Sequence, residues 1–327
     1  MRDVMKLSEI YHPIEKELIQ VNETFKGELQ GYDRFSSRIL DSLMEDRGKR
    51  LRPALALFAA KTGDGISPGV LKLATAVELL HTATLIHDDV LDEALLRRKK
   101  ESVNSRWGNE ISVVLGDYLY AKTFIILSEI ENKKIWQALT ETAKVICMGE
   151  LSQLERRYDF SLSEKDYVRM IEWKTASLMA SACELGAVLG GASAEDAASL
   201  SRYGLQFGIG FQIIDDCLDL IGDEREMGKS LGTDLRKGKM TLPLIYLFEK
   251  LSSDQINKLK EAILASQDGE ASEEVRRLVG IHGSLERSME RARGFFEDAK
   301  NQIIRLKERQ TKEHLAELAE YTLTRNR

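Results

Sequence analysis

Proline is scarce in this chain of 327 residues: four occur, at positions 13, 53, 68 and 243, and none lies between 69 and 242. A stretch so long without the residue that breaks helices and central strands favours helix, as do the abundant Ala, Leu, Glu, Lys and Arg. Apolar residues recur there at three- and four-residue spacing, so the fold class expected is all-α. Cysteine is as scarce. Cys147, Cys183 and Cys217 are odd in number and lack metal-ligand spacing, which excludes a disulfide framework and fits free thiols in a reducing cytosol. The N-terminal sequence has no apolar signal-peptide core. No uninterrupted apolar run reaches the roughly 18 residues of a membrane span. The expectation is a cytoplasmic protein without an integral membrane segment. A net charge of −6 gives no reason to expect nucleic acid as a partner. With 31% charged and 43% hydrophobic residues the chain is globular. No linker or low-complexity segment divides it, so one domain over 1–327 is expected.

Against this background one acidic pentapeptide occurs twice, as DDVLD at 88–92 and DDCLD at 215–219. Both copies sit in apolar sequence, LIHDDVLDEALLRR and FQIIDDCLDLIGD. On a helix Asp88 and Asp92 fall at i and i+4, roughly 5–6 Å apart at Cβ, and Asp215 and Asp219 repeat the spacing. Carboxylates this close repel, and apolar surroundings raise the cost of their charge. A hard divalent cation removes both problems. Mg²⁺ takes oxygen ligands and commonly uses one or two carboxylates, waters and substrate phosphates. Two such faces across a cavity make a cage for a magnesium-bound polyphosphate.

Basic residues complete the pattern. Arg97 and Arg98 follow the first motif, and Lys229 and Lys239 follow the second in the Gly- and Lys-rich stretch 222–239. Lys49, Arg50 and Arg52 cluster in GKRLRP at 48–53, which opens a helix, and a helix N-terminus attracts anions. Three basic groups suggest more than one polyanionic substrate. Each has a bland counterpart: a solvated acidic helix end, solvated Lys and Arg pairs, a core histidine at His81. Two acidic copies with the same apolar flank are harder to set aside. GKS at 228–230 resembles the end of a P-loop, but Asp223 stands where that motif needs glycine. His87-Asp88 matches the pair of helical metal phosphohydrolases, which leaves the second motif without a role.

The constellation resembles the trans-prenyltransferases, the all-trans polyprenyl diphosphate synthases, in their long-chain branch. The likeness runs through GKRLRP (48–53), ELLHTATLIHDDVLDE (78–93), RR (97–98), VNSRWGN (103–109), GDYLYAKTF (116–124), KTA (174–176), the second acidic motif, GKSLGTDLRKGKMTLPLIY (228–246) and the terminal RNR. It implies a single all-α domain of antiparallel helices around a deep cavity, working as a homodimer on isopentenyl diphosphate and an allylic diphosphate with three Mg²⁺ per site. Asp88, Asp92 and Asp215 are then the metal ligands, supported by Asp89, Asp216 and Asp219. Arg97, Lys174, Thr175, Gln212, Lys229 and Lys239 hold the allylic diphosphate; Lys49, Arg52, His81 and Arg98 hold isopentenyl diphosphate. Two departures stand out. RRKKES at 97–102 replaces the family's RRGxPT and is expected to change that loop, and Arg47 replaces the first glycine of Gly-Gly-Lys-Arg.

Counting back from Asp88 along the helix gives Thr84, Ala83, Leu80 and Val77 as the wall beside a growing chain. Ala83 and Thr84 are small, so the product expected is longer than C20. A short-chain farnesyl or geranylgeranyl diphosphate synthase is the alternative. A terpene cyclase needs no isopentenyl site, and a non-catalytic subunit is expected to have degraded aspartates.

Overall fold

The computed structural model describes residues 5–31, 33–44, 48–221, 232–265 and 270–324. The chain runs α1 (Leu7–Tyr11), a 3-10 turn, α2 (Glu15–Glu28), α3 (Arg34–Met44), α4 (Leu51–Ala60) and α5 (Pro68–Leu91). A hairpin of β1 (Leu96–Arg97) and β2 (Lys100–Glu101) follows, then α6 (Val103–Trp107), α7 (Asn109–Ser128) and α8 (Lys133–Glu155). Next come α9 (Glu164–Ile171), a π turn over Glu172–Ala176, α10 (Ser177–Leu189) and α11 (Ala194–Ile221). The remaining helices are α12 (Thr233–Arg236), α13 (Leu242–Phe248), α14 (Ser253–Ala265), α15 (Glu270–Ile281), α16 (Ser284–Gln302) and α17 (Arg309–Thr324). The fold is all-α apart from that hairpin among the described residues, as composition and period require.

The two motif helices lie in the middle of the packing. α5 is started by Ser67, whose hydroxyl accepts from Val70 N, with Pro68 in the first turn, where its missing N–H costs nothing. It packs on α7, α4, α2 and α10, while α11 packs between α10 and α16. α4 is apolar all round: every residue from Pro53 to Ala60 is buried, as for a helix enclosed on all sides. α10 approaches it closely because Gly186 and Gly190 carry no side chain; a Cβ at either would lie 2.3 Å from Ala56 O or Ala60 O.

Several boundaries depart from the sequence periodicity. Amphipathic helical period runs through 1–46 and through 241–265, but the described residues of the first hold three α-helices and the second is split after Phe248. The sequence 97–109 reads as a polar connection, yet it carries most of the hairpin, which starts at Leu96, and all of α6. α5 and α7 also each carry an 18-residue window apolar enough, by length and composition, to cross a membrane, which a search for uninterrupted apolar runs does not reveal. The α5 window is 61% buried inside the fold and the α7 window 39%.

Candidate active site

Both acidic motifs open onto one cavity of about 1560 Å³. Asp88, Asp89 and Asp92 reach it from the end of α5, and Asp215 and Asp216 from the last turns of α11. Asp219 does not line it. It is fully buried and anchors the segment beyond α11: its carboxylate accepts from Thr233 Oγ1 at 2.9 Å and Asp234 N at 3.2 Å, and its carbonyl from Gly232 N at 2.8 Å.

The first motif is neutralised by cations. Lys174 Nζ lies 3.6 Å from Asp88. Arg97 donates to both oxygens of Asp89 at 2.6 Å; burial pushes the Asp89 carboxyl up, and the Arg97 guanidinium opposes that. Asp92 accepts from Lys239 at 2.6 Å and Arg157 at 3.4 Å. Burial works against the charge of Lys239, yet Asp234 and Asp92 hold its pKa above the usual lysine value. In the second motif Asp216 accepts from Tyr167 Oη at 2.6 Å and Gln212 Nε2 at 2.8 Å. Burial first, then Asp234, raises its pKa to about 7 against those hydrogen bonds.

A π turn positions the next group. Inserted in an otherwise continuous helical run, it shifts the helix phase by one residue. Lys174 and Thr175 both reach the cavity. Thr175 Oγ1 donates to Gln212 Oε1 at 2.8 Å, and Lys174 Nζ to Gln153 Oε1 at 2.9 Å while it pairs with Glu150. Burial alone disfavours the charged lysine; Asp88 and Glu150 outweigh it and raise the Lys174 pKa.

A second basic cluster occupies another part of the wall. Arg52 Nη1 lies 2.9 Å from His81 Nε2. Burial, then Arg52, Arg98, Arg97 and Arg50, hold the His81 pKa well below the usual imidazole value, so the ring is neutral and accepts from Arg52. Burial lowers Arg52 itself to about 10, against the pull of Glu78 and Asp215. Lys49 Nζ sits 5.7 Å from the Tyr321 ring centroid. Arg98 and Lys99 form the two-residue turn of the hairpin, both left-handed at φ 50° and 69°, as a type I′ turn demands. Thus the loop that lacks the family's Gly and Pro closes as a tight hairpin, and Arg97 and Arg98 still face the cavity.

Lys229 lies outside the described residues. Of the residues placed beside the growing chain, Thr84 lines the cavity; Leu80 and Ala83 do not, and both are fully buried. His81, Thr84, Leu85 and Asp88 share the cavity face, which turns Ala83 about 150° from its centre at roughly 100° per residue. His87, the partner of Asp88 in the phosphohydrolase pair, has its Nε2 3.1 Å from Val113 O and stacks on Tyr120. Phe207 is core, while Phe211 reaches the cavity wall.

Sequence reasoning missed Glu150 and Gln153, at i and i+3 on α8, and Arg157, two residues past its end; the i, i+3, i+7 polar spacing was the available signal. It also missed Tyr167, which reads as an ordinary core aromatic, and Asp234. Tyr167→Phe removes a buried donor to Asp216, and urea unfolding is expected to show a loss of about 1–3 kcal/mol, as for a buried group left without a hydrogen-bond partner.

An all-α fold with two aspartate motifs on one cavity, ringed by Lys and Arg, defines the isoprenoid-synthase class. The polyprenyl synthetase family profile matches residues 33–281. The octaprenyl diphosphate synthase of Haemophilus influenzae is 33% identical over 325 residues, covering 99% of each chain. The geranylgeranyl diphosphate synthase of Methanosarcina mazei is 38% identical over 288 residues, covering 86% of this chain and 87% of that one. The crystal structure of a polyprenyl synthase from Caulobacter crescentus, complexed with calcium and isoprenyl diphosphate, superposes with a TM-score of 0.95 at 33% identity, covering 100% of both chains. The chain belongs to the polyprenyl synthetase family and is a prenyl-transferring enzyme.

Proposed function

We propose that this enzyme condenses isopentenyl diphosphate with an allylic diphosphate in the presence of Mg²⁺, and extends it to an all-trans polyprenyl diphosphate longer than C20. The observation that carries the reading is that two basic clusters, Lys174–Lys239–Arg97 and Lys49–Arg52–Arg98, line one cavity with both aspartate motifs. Two anions are thereby given separate places beside one metal cage.

The donor set fits Mg²⁺. Asp88, Asp92 and Asp215 offer hard oxygen ligands to the cavity, and among the described residues no group of three or more His, Cys, Asp or Glu side chains stands together to hold a metal without substrate. That matches an ion that takes one or two carboxylates and completes its shell with water and substrate phosphate. Asp88, Asp92 and Asp215 would hold the metal, three ions per site, with Asp89 and Asp216 beside them. The bound metal supplies charge stabilisation for the departing diphosphate.

The protein groups do the rest. Lys174, Lys239 and Arg97 exchange their carboxylate partners for oxygens of the allylic diphosphate, assisted by Thr175, Gln212 and Lys229. As the allylic C–O bond breaks, its electron pair leaves with the diphosphate, and these preorganised cations meet the charge as it develops. Lys49, Arg52, Arg98 and neutral His81 hold isopentenyl diphosphate so that its double bond faces the allylic carbon. A C–C bond forms from the double-bond electrons of isopentenyl diphosphate, and a proton passes to the released diphosphate. The product is five carbons longer and re-enters.

The working form is a cytoplasmic homodimer. α7 exposes Val113, Val114 and Ile125, and the adjoining α8 exposes Met148, apolar surface suited to a second copy of the chain. Val114→Glu with Ile125→Glu is expected to move the mass by light scattering from twice the chain mass to 37.0 kDa.

The function is tested with purified protein, Mg²⁺, labelled isopentenyl diphosphate and farnesyl diphosphate, with products separated by chain length. Label in products above C20 is the expected result. Products ending at C15–C20 favour the short-chain reading, which the Methanosarcina relative represents. Allylic diphosphate consumed without label uptake indicates a cyclase.

A further inference from the structure

Arg50 lies between Lys49 and Arg52, two cations of the second cluster. It is the residue before α4, and its backbone is left-handed, φ 50° and ψ 35°, a region that side chains other than Gly, Asn and Asp rarely enter. Its side chain is held from two directions. Nη1 donates to Glu78 Oε1 on α5 at 2.5 Å, and Nε to Asn22 Oδ1 on α2 at 2.8 Å. The guanidinium also lies 5.0 Å from the Phe25 ring centroid. The Arg50 and Glu78 side chains are 15% and 8% exposed. Arg50 thus ties α2, the loop and α5 together at one point.

The loop it controls meets the hairpin directly. A Cβ on Gly48 would lie 2.4 Å from Arg98 Nη1, so the backbone at 48 is seated against that guanidinium. Glu78 precedes His81 by three residues, on the same side of α5, among the cations that crowd the imidazole. Without a counter-charge, Arg50, Arg52 and Arg98 repel one another as well as attracting an anion.

We infer that Arg50 and Glu78 are positioning residues for the second anionic substrate: their ion pair holds Arg50 in its left-handed turn at the end of the loop 48–50, so that Lys49 and, at the start of α4, Arg52 converge on the cavity beside Arg98. The inference rests on the proposed isopentenyl diphosphate site. Its sign is opposite to simple electrostatics. Glu78→Gln removes a negative charge from an anion site, which by charge alone tightens diphosphate binding. Loss of positioning weakens it. Arg50→Lys keeps the charge and loses the planar fork that reaches Glu78 and Asn22 together.

The test is steady-state kinetics with each substrate varied in turn. Glu78→Gln and Arg50→Lys are expected to raise KM for isopentenyl diphosphate about tenfold or more, with kcat and KM for farnesyl diphosphate changed less than about twofold, the signature of lost ground-state binding. Glu78→Asp, which keeps the charge, is expected to recover most of the loss. Asn22→Ala, away from the cavity, is expected to raise the same KM by a smaller factor, and it decides the matter if Glu78→Gln does not fold. Equal changes in both KM values, a lower KM in Glu78→Gln, or no recovery in Glu78→Asp overturns the inference. A wild type that incorporates no isopentenyl diphosphate overturns the proposed function, and this inference with it.

Discussion

Replacing Asp88 by Ala is expected to lower kcat by about 10²–10³-fold or more, the loss seen when one preorganised stabiliser of developing charge is removed. Asp88 lies on the cavity wall, 22% exposed and 3.6 Å from Lys174, so it is accessible to metal and is not the sole partner of a buried cation: Lys174 also pairs with Glu150. The fold should therefore survive, with little change in Tm. The Mg²⁺ concentration for half-maximal rate should rise, and EDTA should abolish wild-type turnover. Asp219→Ala provides the contrast. That carboxylate is fully buried and accepts from Thr233 Oγ1 and Asp234 N. Its loss leaves buried donors unpaired, at about 1–3 kcal/mol each, and frees the segment that carries Lys239. Activity falls there together with stability. An Asp88→Ala enzyme that turns over at the wild-type rate, or one that loses rate only in proportion to unfolding, removes Asp88 from the metal site.

Thr84→Phe is the second large effect, and it is read in the product. Thr84 lies on the cavity face of α5 one turn before Asp88, with its hydroxyl donating to His81 O at 2.7 Å. A phenyl ring there occupies space that a growing chain needs, and a filled volume in a close-packed wall is not recovered by small shifts, so products are expected to shorten to about C15–C20. Chromatography of labelled products after phosphatase treatment measures this directly. A distribution identical to the wild type sinks the assignment of Thr84 as the chain-length residue. Ala83→Phe is a different experiment: Ala83 is fully buried and off the cavity wall, and a larger residue is expected to cost about 1–3 kcal/mol through overpacking.

The chemistry was legible in the sequence where apolar flanks forced the question of what compensates an acidic group. Asp88 with Asp92, and Asp215 with Asp219, could be paired before any fold was known, because i and i+4 on a helix are neighbours in every structure that contains the helix; the choice of Asp88, Asp92 and Asp215 as ligands came from the resemblance. Arg97, Arg98, Lys239 and GKRLRP were legible as local charge, and the resemblance divided them between two substrates. Lys174 and Thr175 came from the resemblance alone. No local signal shows that a π turn brings them to the cavity, because it is an insertion in helical phase that follows from packing. The hairpin at 96–101 was hidden for a related reason: Arg98 and Lys99 both adopt left-handed backbone, which their types do not favour. Helical period placed Leu80, Ala83 and Thr84 on one wall, but period gives a direction along one helix and not the position of its neighbours.

What the sequence determined by itself is the local chemistry: helical rise and period, absence of proline from the long middle stretch, and the charge of two repeated motifs. These depend on residues a few positions apart. What the tertiary structure decided is partnership across the chain. Asp219 is taken out of the cavity and made an anchor, Asp92 is joined to Lys239 and Arg157, and Arg50 is fixed by Glu78 and Asn22. Those pairings are set by which helices pack together and where burial makes an uncompensated charge too costly, and neither is encoded within one turn of any single helix.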